Sequence, residues 1–240
     1  MRAGALAWGC AGAAVAAALF ASVPARADEW DGLCTVLFGS AEGGPSSWAS
    51  AGFKRALGPS LDRDGWLLLG SAGGGLRAER LDGTPERATR LSAQASGLLG
   101  HQWIVDRTVL SLFGGVELDH KQFLVGDEAL RRAEPRFGAR LHAELWSHPT
   151  AATLATATLI AGSARGHLWG RASWGYEVWS GVYAGPELVA YLQDDYREGR
   201  LGLHLTGVKV GGVTLGVSAG GSFTDARTGG YVALSGYIRR

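Results

Sequence analysis

The segment Arg136-Phe137-Gly138-Ala139-Arg140-Leu141-His142-Ala143-Glu144-Leu145-Trp146 decides the fold. Phe137, Ala139, Leu141, Ala143 and Leu145 share one parity. Arg136, Arg140, His142 and Glu144 share the other. Successive side chains of a strand point to opposite faces, so these two sets separate cleanly. A helix, at about 3.6 residues per turn, would scatter both sets around its circumference. The segment therefore reads as a strand with one apolar face and one ionic face.

The same pattern extends in both directions. Arg90, Ser92, Gln94 and Ser96 oppose Leu91, Ala93, Ala95, Gly97 and Leu99. Leu110, Leu112, Val116 and Leu118 oppose Ser111, Glu117 and Asp119. On the C-terminal side, Leu168, Ala172, Trp174, Tyr176 and Val178 oppose His167, Arg171, Ser173 and Glu177. Leu188 and Leu192 oppose Glu187 and Tyr191, Leu201 to Leu205 oppose Arg200 and His204, and Val213 to Ala219 oppose Thr214 and Ser218. Further strands are expected near 33–39, 47–57, 64–77, 152–163 and 229–238. The total is about twelve, the length and number of a membrane β-barrel.

A soluble β-sandwich also alternates. Two features favour the membrane. The apolar face is almost free of charge, and Trp48, Trp66, Trp103, Trp179 and Tyr183 fall near strand ends, as interfacial girdles do. The connections alternate in length. Val105–Arg107, Ser147–Thr150, Ser180-Gly181 and Val210–Gly212 are short. Ala41–Ser46, Ala78–Ala88, Gln193–Gly199 and above all 120–135 are longer, the last with a short helix expected around Glu128–Arg132. Long loops outside and short turns inside place both chain ends in the periplasm.

Composition agrees. Of 240 residues 38 are Gly, 46% are hydrophobic and 19% are charged, which excludes a charge-rich disordered chain and a basic nucleic-acid binder. The first 27 residues read as a signal peptide: Arg2, an uncharged Ala-rich run from Ala3 to Ser22, and small residues at Ala25 and Ala27. Its removal takes Arg2 and Arg26 away and leaves 21 basic against 22 acidic residues. The expected product is one domain, 28–240, in the cell outer membrane, in contact with its lipid. Cys34 is the only cysteine outside the leader, so no intrachain disulfide can form there.

The polar face supplies the candidate site, a lumen network. Its members are Glu117, Arg136, Arg140, His142 and Glu144 on the central strands, with Arg171, Glu177, Glu187, Arg200 and His204 further on. Mixed charges at this density pair with one another across a narrow interior, and a Glu187–Arg200 link is expected across the 193–199 hairpin. Aromatics on or near this face, Trp146, Trp169 and Tyr191, offer stacking surfaces for sugar rings. No Gly-x-Ser-x-Gly elbow, phosphate loop or metal-ligand spacing occurs, so no catalytic, cofactor or metal residues are assigned. The alternatives left open are a small outer-membrane channel and a lipid-modifying barrel enzyme.

Several short strings carry a family resemblance: Leu37-Phe38-Gly39-Ser40, Gly185-Pro186-Glu187, Arg200-x-Gly202-x-His204-x-Thr206-Gly207 and Gly230-Tyr231. Together they resemble the cellulose biosynthesis protein S (BcsS) family. The resemblance implies a non-enzymatic accessory role in cellulose biosynthesis or export, with cellulose or other cellulose-secretion components as partners. It supplies no catalytic residues.

Overall fold

The computed structural model describes residues 33–80, 87–125, 128–132, 134–193, 196–225 and 227–240. The expected leader, 1–27, lies outside them. The described chain is all strand and turn: β1 (Thr35–Gly43), β2 (Ser46–Ala56), β3 (Gly65–Arg80), β4 (Arg87–Val105), β5 (Thr108–Val125), β6 (Glu128–Arg132), β7 (Arg136–Ser147), β8 (Thr153–Gly162), β9 (His167–Trp179), β10 (Val182–Gln193), β11 (Tyr196–Val210), β12 (Val213–Thr224) and β13 (Thr228–Arg239).

All pairings are antiparallel. Twelve strands form a closed ring, because β1 pairs with β13 from Val36↔Arg239 to Gly43↔Val232, and β5 pairs with both β4 and β7. Closure removes the exposed edges that an open sheet would carry. The remaining strand, β6, corrects the sequence expectation. Where a loop with a short helix is expected, β5 runs on to Val125 and Glu128–Arg132 folds back on its tip as strand. Beyond Asp119↔Arg136 the tip of β5 has no β7 partner, so its backbone groups take β6 instead. The stretches expected as loops at Ala41–Ser46 and Gln193–Gly199 are likewise mostly strand.

The strand parity read from the sequence sorts outside from inside. Leu141 is 65% exposed and Leu203 68%, on an outer surface that also carries Leu159, Leu188, Leu201 and Val232. Water would not tolerate so broad an apolar surface on a monomer; hydrocarbon requires it. Trp66, Trp103 and Trp179 are exposed near the end of the barrel where β1 begins and β13 finishes, called here the terminal end. Tight turns at that end use left-handed backbone at Asp106 (φ 51°), Gly181 (φ 72°), Gly211 (φ 56°) and Gly212 (φ 84°).

The lumen is not uniformly polar. Toward the terminal end, Ala56, Leu61, Leu67, Leu69, Leu98 and Phe113 form a buried apolar cluster, with Val36 and Phe38 packed against it. Leu67, Leu69 and Leu98 are each 1% exposed. The connection 57–64 bends inward to complete it. Gln102 donates to the carbonyls of Leu61 and Arg63, both at 2.7 Å, and the Ile104 N–H donates to Asp64 at 2.7 Å. Full burial stabilises each leucine by about 1.5–3 kcal/mol, so this floor is a structural core inside the barrel.

A polar cup above an apolar floor

The ten residues expected in the lumen separate into three groups. Glu117, Arg140, Glu187, Arg200 and His204 are buried inside. His142, Glu144 and Arg171 also face inward and are half-buried. Arg136 and Glu177 have the inward parity but lie exposed near strand ends. Glu177 accepts the Gly181 N–H at 2.7 Å and so fastens the β9–β10 turn rather than joining the network.

The buried charges form linked layers. In the first, Lys54 on β2 reaches Glu144 on β7 at 2.6 Å, and His142 lies 3.2 Å from the other carboxylate oxygen. In the second, Arg140 donates to Gln94 at 2.8 Å and lies 3.4 Å from Glu117. Glu117 also accepts the Ala164 N–H at 3.0 Å, and Asp119 is bound by Arg165. Any side chain at Gly162 on β8 would collide with Glu117 and His167, so this glycine makes the space that the cluster fills. In the third, Arg200 holds Glu42 at 2.8 Å and Glu198 at 2.8 Å, while Ser222 donates to Glu198 at 2.8 Å.

The expected Glu187–Arg200 link does not form. The register sets Glu187 opposite Gly202 and Val189 opposite Arg200, so the two charges are offset. Glu187 turns to Arg171 on β9, which donates at 2.8 Å, and Arg200 turns to Glu42 and Glu198. Tyr231 on β13 stands between them. Its hydroxyl donates to Glu187 at 3.1 Å, and the Arg200 guanidinium lies 5.4 Å from its ring centre.

Toward the far end the polar lumen opens into a cavity of about 280 Å³. Phe38 and Leu69 belong to its lining and to the floor below, so the cavity is a cup with an apolar base. Contacts cross it from wall to wall. Arg90 on β4 donates to Gln193 on β10 at 3.3 Å, and Arg77 on β3 lies 3.6 Å above the Tyr196 ring on β11. Trp48 also lines the cup, which corrects its assignment to a girdle. A Cβ at Gly73 would lie 2.9 Å from Trp48 Cζ2, and one at Gly75 would lie 2.7 Å from Cε3. The indole therefore rests along two glycines of β3. Trp169 and Tyr191 line the same cavity, whereas Trp146 does not.

Sequence reasoning missed Glu42, Lys54 and Glu198 and set Trp48 at the girdle. The signal was present: each sits at the inward parity of its strand, but β1, β2 and the start of β11 alternate weakly. Among the described residues, no group of three or more His, Cys, Asp or Glu is placed to hold a metal ion.

No curated protein matches the chain. Solved barrels do. The β domain of the Bordetella autotransporter BrkA is 15% identical with a TM-score of 0.52, covering 86% of this chain and 98% of that one. The transport unit of the autotransporter AIDA-I from Escherichia coli is 8% identical with a TM-score of 0.51, covering 97% of both. KdgM porin is 8% identical with a TM-score of 0.46, covering 83% of this chain and 97% of that one. At such identities the autotransporter likeness speaks for the transmembrane barrel fold alone. A family model described as cellulose biosynthesis protein BcsS matches residues 36–240, the entire barrel but for the first residue of β1. With that match the resemblance read from the short strings is settled: the chain belongs to the BcsS family of cellulose biosynthesis proteins.

Proposed function

We propose that this barrel sits in the outer membrane as a non-enzymatic accessory component of cellulose biosynthesis, with its terminal end in the periplasm and the cup facing outward. The observation that carries the reading is the family match over 36–240. The interior supports an accessory role over a conduit. A glucan strand passing through would have to displace the floor of Leu67, Leu69 and Leu98. The lumen charges are spent on one another, which stabilises a closed ring rather than a file of transport sites.

Deletion of the gene, with measurement of extracellular cellulose and fibre form, tests the reading. Reduced or disordered cellulose, restored by the wild-type chain, is the expected result. Unchanged yield and unchanged fibres would overturn it. Membrane fractionation of the same strain locates the protein independently.

A further inference from the structure

We infer that the cup is a saccharide-binding site that takes the end of a neutral, β-linked pyranose chain from the far side of the barrel. This deepens the accessory role proposed above and rests on it for the choice of glucan.

The chemistry of the lining carries the inference. A β-linked pyranose has flat C–H faces and a rim of hydroxyls. Trp48 supplies a flat surface for such a face. Its indole is backed by Gly73 and Gly75, so the ring stays against the wall, and it lines the cavity rather than the membrane girdle. Two glycines set beneath one tryptophan hold an aromatic platform at little conformational cost on binding. Ser40 and Ser50, 2.9 Å apart, share that wall and offer hydroxyl partners. Farther along the wall, on β11, stand Glu198 and Arg200, whose positions are already fixed by Glu42 and Ser222. The Glu198 carboxylate is fully engaged by Arg200, Ser222, Tyr196 and Ser46, so it keeps this wall rigid while the serine hydroxyls meet the sugar.

The choice of a neutral chain follows from the accessory role; within the cup Arg200 pairs with Glu42 and Glu198, Arg140 with Glu117, and Arg77 and Arg90 engage Tyr196 and Gln193. A chain end rather than a threaded strand follows from the base at Phe38 and Leu69. A volume of about 280 Å³ suits a short terminal segment.

The test uses the purified full barrel in nanodiscs, titrated with cellotetraose, maltotetraose and trigalacturonate by calorimetry. Heat-shifted electrophoretic mobility verifies that each variant is folded. Cellotetraose should bind best. Trp48→Ala should weaken it about tenfold, Trp48→Phe less, and Ser92→Trp, which fills the cup from β4, should abolish it. Absence of binding by the folded wild-type barrel overturns the inference. So does binding that survives both Trp48→Ala and Ser92→Trp, or a preference for trigalacturonate. The outcome is separable from the gene deletion. Lost cellulose with no sugar binding removes the cup and keeps the accessory role, whereas sugar binding with unaffected cellulose does the reverse.

Discussion

Tyr231 on β13 donates its hydroxyl to Glu187 on β10 at 3.1 Å, crossing Gly202, where a side chain would collide with that hydroxyl. Three strand positions around the ring are thereby tied through the lumen. Glu187 is only 2% exposed, so losing a donor leaves a buried carboxylate short of a partner. Tyr231→Phe should therefore lower stability by about 1–3 kcal/mol, read as an earlier urea midpoint in micelles. A midpoint equal to that of the wild type would show that Arg171 alone satisfies Glu187.

The Lys54–Glu144 pair is half-buried, with side chains 20% and 27% exposed, so its worth lies between that of a surface pair and a fully buried one. Lys54→Met alone should cost about 1–3 kcal/mol, because Glu144 then keeps only His142 nearby. Lys54→Met combined with Glu144→Leu should recover much of that loss, since two apolar groups need no partner. A double variant less stable than the single one, in thermal unfolding followed by electrophoretic mobility, would contradict this account.

Among the described residues, the apolar floor is what closes the lumen. The wild-type protein should show no steady conductance in planar bilayers. Trimming Leu69, Leu98 and Phe113 together to alanine should create a leak, seen as stepwise current and as greater entry of a large antibiotic in whole cells. Each single truncation costs about 2–5 kcal/mol, so the triple variant is best expressed at low temperature. A folded triple variant that still holds back ions would place the barrier elsewhere.

The barrel was legible because parity is local. Arg136–Trp146 needs no knowledge of its neighbours to announce which side faces lipid, and Leu141 and Arg140 lie where that alternation puts them. The lumen partners were not legible, because they depend on strand registers added around the ring. Lys54 meets Glu144 and Arg90 meets Gln193 across the interior, at sequence separations that no spacing rule links. The Glu187–Arg200 expectation failed on an offset within a single hairpin. Trp48 differs for another reason: nearness to a strand end suggests the girdle, whereas its inward parity and Gly73 and Gly75 opposite seat it inside. At 120–135, the unpaired tip of β5 overrode a weak helical signal.

The seam of the ring has a consequence for biogenesis. Thr35 and Arg240 exchange backbone hydrogen bonds at 2.7 Å in both directions, so the two strands made furthest apart in time are the ones that must meet. Until β13 is delivered, β1 offers a row of unanswered amides, a template onto which another copy can stack. An assembly factor that holds β1 apart until β13 arrives would protect the nascent chain at its most vulnerable moment.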